Sequence, residues 1–195
     1  RVDGKTHVVA GNPLSRLYIA AISQDRPEST GNSVKFTLPR GTVVGSRIAD
    51  EVTMEWKLPS KNNTLERVRA RAYYHAYSAY CAYKQTLQAL EMIKKGETKV
   101  WNQYVRPESG FGVGLVEGMR GGVGHWVVMQ KGKIHRYQII TPTAWDISPR
   151  DAEGRPGPYE ASIIGSDCTE PVVNGKVTGI DVVRTIHSYD PCLGC

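Results

Sequence analysis

The sequence closes on Asp190-Pro191-Cys192-Leu193-Gly194-Cys195, two cysteines two residues apart behind an Asp-Pro step. Two thiolates at this spacing can grip one soft metal ion, and the remaining ligands must then come from elsewhere. Taken alone, the pair also reads as half of a zinc knuckle, a dithiol redox switch or a coincidence. Redox use is disfavoured: reactive pairs usually open a helix whose N-terminal dipole stabilises the thiolate, and here the expected helix precedes the cysteines. The second group with chemical potential is Glu117-Gly118-Met119-Arg120-Gly121-Gly122-Val123-Gly124-His125-Trp126. So much glycine around one arginine would let the backbone approach a small ligand and aim a guanidinium at it. A tight turn carrying a surface arginine explains the same residues. Of the other cysteines, Cys81 sits in a helical pattern as a small apolar residue. Cys168 lies in a polar loop without an evident partner and reads as incidental.

These groups must be held by the elements between them. Val8 to Ala10, Val34 to Leu38 and Val52 to Trp56 are short candidate strands, and Leu14 to Ser23 is a short helix behind Pro13. Thr64 to Lys95 contains neither Gly nor Pro, follows a cap at Asn63 or Thr64, and ends at Lys94-Lys95-Gly96, which predicts one long helix. Tyr73, Tyr77, Tyr80 and Lys84 share a face at helical spacing, a packing stripe with hydroxyls reaching a partner. Leu87, Leu90, Met92 and Ile93 add apolar surface near its end. Gly124 to Met129 and Ile134 to Ile140 flank Lys131-Gly132-Lys133, a hairpin signal. Pro142 through Pro158 reads as a long proline-rich loop, and Gly179 to Ser188 as a last short helix.

Composition narrows the function classes. The 195 residues carry 25 Lys and Arg against 19 Asp and Glu, net charge +6, with 40% hydrophobic and 23% charged residues, as in a soluble globular protein. The basic residues are scattered, so nucleic-acid binding is not expected. Four cysteines are too few and too uneven for a disulfide-stapled secreted domain. No secretory leader opens at Arg1, and no apolar run reaches the roughly 18 residues of a membrane span.

Several segments together resemble the carboxyl-terminal half of the large subunit of the nickel-iron hydrogenases. Ile186 to Cys195 is similar to that family's closing Asp-Pro-Cys-x-x-Cys signature. Glu117 to Trp126 resembles its Glu-Ala-Pro-Arg-Gly…His-Trp segment. Tyr137-Gln138 with Thr141 to Asp151, continued by Gly157 to Glu160, resembles its Tyr-Gln…Pro-Thr-Thr-Trp-Asn…Ser-Pro-Arg-Asp segment. Thr64 to Ala72 is similar to the start of its long helix, and Gly11 to Arg16 to a Gly-Pro-Leu-Ala-Arg element. The resemblance covers nearly the whole chain.

The resemblance implies an α+β fold: the long helix contributes to a central helical bundle, with a β hairpin or small sheet at its side. The chain is then one unit, 1–195, with mixed strands and loops over 1–63, the helix over 64–95 and the active-site half over 111–195. It implies H2 oxidation and proton reduction, with Cys192 a terminal thiolate on nickel and Cys195 a thiolate bridging nickel and iron. Arg120 would hang its guanidinium above the open face, and Asp190 would pair with and orient it. Pro142 and Thr143 would hold the cyanide ligands on iron, and Val123 would line the wall near the carbon monoxide ligand. It further implies a magnesium ion, and iron-sulfur clusters on a small partner subunit.

Three departures stand out: Gly118-Met119 where the family has Ala-Pro, Trp145-Asp146 where it has Trp-Asn, and no closing histidine after Cys195. The family's other two thiolates belong to its amino-terminal half. The expectation is therefore a split large subunit, completed by that half and inactive without it, and located in the cytoplasm or at a membrane through partner subunits. A non-catalytic structural or electron-transfer subunit of a related respiratory complex is the alternative, and retention of Cys192 and Cys195 argues against it. A hydrogen-sensing hydrogenase fits the same residues.

Overall fold

In the computed structural model, which describes residues 7–41, 43–44, 47–48 and 50–194, the elements run in the order α1 (Pro13–Ser23), β1 (Ser33–Leu38), β2 (Val43–Val44), β3 (Arg47–Ile48), β4 (Val52–Lys57) and α2 (Thr64–Lys94). There follow β5 (Gly110–Gly118), β6 (Gly121–Gln130), β7 (Lys133–Ile140), α3 (Pro142–Asp146), α4 (Pro158–Ile164) and α5 (Ile180–His187). This is the α+β arrangement expected, with three separate antiparallel sheets ordered β1-β4, β2-β3 and β5-β6-β7. Among the described residues no helix is long and apolar enough to cross a membrane.

The helix ends follow local chemistry. Asn12 caps α1 by accepting from the Ser15 amide at 3.2 Å, Pro13 occupies the first turn where its missing N–H costs nothing, and Gln24 ends the helix at φ +52°. Asn63 caps α2 by accepting from the Glu66 amide at 2.9 Å, and Lys95 is followed by Gly96 at φ +84°. Replacing Asn63 by alanine is expected to cost about 1 kcal/mol, read as a lowered urea midpoint with an unchanged slope.

The first half of α2 carries the core. Ala70, Tyr74 and Tyr77 pack with Leu14, Leu17 and Ala21 of α1, Val34 and Phe36 of β1, and Trp56 of β4. Pairing of Val34 with Trp56 and Phe36 with Met54 turns one face of this hairpin onto the two helices. Of the expected tyrosine stripe, Tyr77 is buried and Tyr80 stacks near Phe36 at 5.3 Å, with its hydroxyl on Glu28. Beyond this the helix leaves the core, and Leu87, Leu90, Met92 and Ile93 are exposed.

Two expectations are corrected, and the expected hairpin forms and is extended. Among the described residues Val8 to Ala10 forms no strand. The hairpin is the second half of a three-stranded meander, in which β5, rich in glycine and without a clear alternating signal, pairs along the whole start of β6. Pro142 to Pro158 is not one loop: Pro142 and Pro158 each open a short helix, as proline does at a first turn. The last helix forms where expected, started at Gly179 with φ +81°.

Candidate metal centre

Four segments converge: the entrance to α1, the turn between β5 and β6, α3, and the tail that follows α5. The β5–β6 register pairs Gly118 with Gly121, leaving Met119 and Arg120 as a two-residue turn with Arg120 at its tip. Gly121 adopts φ +124°, and a Cβ there would lie 1.6 Å from the Gly11 carbonyl oxygen, so only glycine lets the two backbones meet. The meeting is sealed by the Gly122 amide, which donates to Gly11 at 3.2 Å. The glycines around Arg120 therefore serve close backbone packing as well as a turn.

Two further contacts fix the hairpin. Glu117, at the end of β5, pairs with Arg16 of α1 and accepts from the Tyr74 hydroxyl of α2 at 2.9 Å. The same hydroxyl also donates to the Gly118 carbonyl at 3.2 Å. Burial first, and then the bond to Glu117, push the Tyr74 phenol well above its ordinary value, so it stays a donor.

The tail is held from the other side. The Arg67 guanidinium, 4% exposed on α2, donates to Ser188 Oγ at 2.6 Å and to Asn62 Oδ1 at 2.7 Å, and lies 4.5 Å from the Tyr189 ring centroid. Burial pulls this guanidinium below its ordinary value. Tyr189 in turn shares a hydrogen bond with Ser162 of α4 and donates to the Pro158 carbonyl at 3.1 Å. Asp190 then turns the chain at φ +58°, a left-handed conformation uncommon outside glycine.

Here the sequence-expected residues meet. Arg120 Nε donates to the Asp190 carbonyl at 2.9 Å and stands 3.4 Å from Asp190 Oδ2. The Cys192 amide donates to Thr143 Oγ1 of α3 at 3.1 Å. Arg120, Asp190, Cys192 and Thr143 thus belong to one bonded group. Pro142 precedes Thr143 at the start of α3, and Val123 lies on β6 three residues beyond Arg120, facing Val116 across the ladder. Cys195 falls outside the described residues. Cys192 is disulfide-bonded in the structure, and the metal-holding form of the residue is its reduced thiolate. The substitution of methionine for the family's proline places the Met119 sulfur 3.2 Å from Arg120 NH1.

Asp146, where the resembled family has asparagine, lies at the centre of this packing. It is 2% exposed and its Oδ1 accepts from the Gly11 amide at 3.1 Å and from Asn12 Nδ2 at 3.0 Å, tying α3 to α1. Burial pushes its carboxyl up to about 6, against the lowering effect of those two bonds and of Arg67. A folded-state value above the unfolded one means the acid form is favoured by folding. The stability it contributes is full below the ordinary value of 3.8 and is lost as pH rises through about 6. Asp146→Asn keeps an oxygen for both donors and removes this loss. Its stability relative to the parent is therefore expected to improve by about 2.5 kcal/mol between pH 4 and pH 8, read by urea unfolding across that range.

Sequence reasoning noted Asp146 only as a departure from the resembled family and passed over Arg67, Arg71 and Tyr74. These three stand at i, i+4 and i+7 on α2, a polar stripe legible as a face aimed at buried partners. Cys168 is also less isolated than expected: its sulfur and carboxylate oxygens of Glu170 and Asp181 all lie within 4.8 Å of one another. Both carboxylates already accept loop amides, Asp181 from Thr169 and Glu170, and Glu170 from Thr178 and Gly179.

The donor set suits a soft metal held under a cation: a cysteine with its amide anchored by Thr143, and a guanidinium fixed through its Nε. Comparison with known proteins gives this set a context. The family model described as nickel-dependent hydrogenase matches residues 34–195. The uptake hydrogenase large subunit of Rubrivivax gelatinosus is 35% identical over 97% of this chain and 31% of that protein. The Escherichia coli K12 hydrogenase-1 large chain is 30% identical over 87% of this chain and 30% of its own length. The solved actinobacterial-type NiFe-hydrogenase from Ralstonia eutropha H16 superposes with a TM-score of 0.85 at 38% identity, covering 98% of this chain and 34% of that one. The chain spans about 31% of the length of the first of these relatives. It belongs to the nickel-dependent hydrogenase family, with the fold of a hydrogenase large subunit.

Proposed function

We propose that this chain builds one side of a nickel-iron centre that interconverts H2 with two protons and two electrons. The observation that carries the reading is the bonded group in which Arg120 is fastened to Asp190 while Cys192, two residues on, is fastened to Thr143. Cys192 and Cys195 would supply two thiolates to hold the metals, and polypeptide outside these 195 residues would supply the other two. When bound, the group, with cyanide and carbon monoxide on its iron, would supply the site for H2 and the redox change.

The chain's own residues supply positioning and proton acceptors. Nε of Arg120 is committed to the Asp190 carbonyl, so its planar guanidinium is held at one edge and its terminal nitrogens project from a fixed plane. This guanidinium, or a cysteine thiolate, would stand as the proton acceptor beside the bound group. Thr143 orients the tail through the Cys192 amide, and with the Pro142 backbone it would hold the cyanide ligands. Val123 would present an aliphatic wall that keeps water from the bound group. Iron-sulfur clusters on a small subunit would carry the electrons away, and a magnesium ion would complete the assembly.

The test is nickel analysis and infrared spectroscopy of the assembled, purified complex. Stoichiometric nickel with metal cyanide and carbonyl stretching bands is expected, and Cys192→Ser is expected to remove both. A nickel-free complex without those bands would sink the reading.

A further inference from the structure

Arg71 is the residue of the α2 stripe without a role so far. It stands one turn beyond Arg67, which grips Ser188 and Tyr189, and just before Tyr74, which grips Glu117 and Gly118. Its NH1 lies 3.8 Å from Asp190 Oδ2, the same oxygen that stands 3.4 Å from Arg120 Nε. One carboxylate oxygen therefore faces two guanidiniums, one from the helix and one from the hairpin turn.

We infer that Arg71 is a positioning residue for the metal centre: it fixes the Asp190 carboxylate from the helix side and, through it, sets the Arg120 guanidinium. This inference rests on the proposed function. The geometry explains a feature that neither arginine explains alone. Asp190 holds φ +58°, a conformation that persists in a non-glycine residue when its surroundings over-determine it. Arg120 binds the Asp190 backbone through its carbonyl, leaving side-chain rotation to be set by the two cations. Without Arg71 the carboxylate is held on one side only, and its pull on the Arg120 guanidinium is no longer fixed in direction.

The three side chains are partly exposed, at 27% for Arg71, 30% for Arg120 and 38% for Asp190, so solvent screening keeps the pair's contribution to stability small. The contribution is to geometry. Removing such an outer partner typically costs about ten- to a hundredfold in metal-site activity while the fold survives. Lysine keeps the charge but loses the flat fork, so it restores part of the function.

The experiment is a mutant cycle on the assembled complex, comparing the parent, Arg71→Met, Asp190→Asn and the double variant by H2/D2O exchange rate, nickel content and the cyanide infrared bands. Arg71→Met is expected to lower exchange about ten- to a hundredfold and to broaden the cyanide bands at unchanged nickel content. Adding it to Asp190→Asn is expected to change neither readout further, because Arg71 acts through Asp190. Equal losses in both backgrounds, or an Arg71→Met exchange rate within about twofold of the parent, would overturn the inference. Should Arg71→Met yield no nickel-containing complex, Arg71→Lys carries the cycle: its loss, expected at about threefold, must vanish in the Asp190→Asn background, and a loss that persists there overturns the inference. Absence of cyanide bands from the parent complex overturns the hydrogenase reading and this inference with it. Bands present with additive losses overturn the inference alone.

Discussion

Gly121→Ala is expected to separate the hairpin from the start of α1 and to cost at least about 4 kcal/mol, a loss in the range reserved for backbone strain and overpacking. Two effects add. At φ +124° an L side chain is strained regardless of space. A Cβ 1.6 Å from the Gly11 oxygen and 2.7 Å from its carbonyl carbon cannot be accommodated by a rotamer change, because both atoms are backbone. The segments must part, which breaks the Gly122 to Gly11 bond and strains the Asp146 bonds to Gly11 and Asn12. Gly122→Ala is the control, since a Cβ there meets nothing within 4 Å and is expected to change stability by less than about 1 kcal/mol. Urea unfolding of the pair reads the difference, and a Gly121→Ala midpoint close to that of Gly122→Ala would show that the two backbones do not meet as described. Nickel content of the assembled complex gives a second reading, since the same displacement carries Arg120 away from Asp190.

What the sequence made legible divides along physical lines. Elements set by local chemistry could be read: the Asn63 cap and the uninterrupted run to Lys94, Pro13 at the start of α1, and the Lys131-Gly132 turn with both residues at positive φ. The cysteine pair and the arginine in a glycine-rich run each left plainer readings open when taken alone, and became legible as chemistry through several segments resembling one family in register. Elements set by distant partners were not. β5 has little alternation because its pairing with β6, not its own burial, holds it in place. α3 and α4 hide in a proline-rich stretch, since proline opens a helix as readily as it marks a loop. Asp146 looked like a minor departure from asparagine, and only packing shows that its carboxylate is buried between α1 and α3 with a raised pKa. The exposed apolar faces of late α2 and of the meander, including Leu87, Ile93, Phe111 and Tyr137, likewise gave no sign of their exposure, because amphipathic patterning reports that a face wants burial and not what buries it.

Arg67→Met is the substitution expected to release the tail. The guanidinium is buried among neutral partners, Ser188, Asn62, Ser162, Thr64 and the Tyr189 ring, with no carboxylate bonded to it. Two terms oppose each other. Methionine removes the cost of burying a cation, which alone would favour the variant. It also removes four hydrogen bonds to a charged donor, each contributing roughly 1.5–3 kcal/mol, and deprives the buried Asp146 carboxylate of a favourable cation. The bonds outweigh the relief, leaving a net loss of about 3 kcal/mol. Because Arg67 ties α2 to Ser188 and Tyr189, the loss falls first on the last turn of α5 and the residues up to Cys192. Limited proteolysis is expected to cut Arg67→Met beyond Thr185 well before the parent, and its nickel content to fall more than its urea midpoint implies. Arg67→Lys keeps the charge but reaches fewer of the diverging oxygens and is expected to lie between the two. A Met variant with parental protection of the tail would show that Tyr189, through Ser162 and the Pro158 carbonyl, is sufficient to hold the cysteine in place.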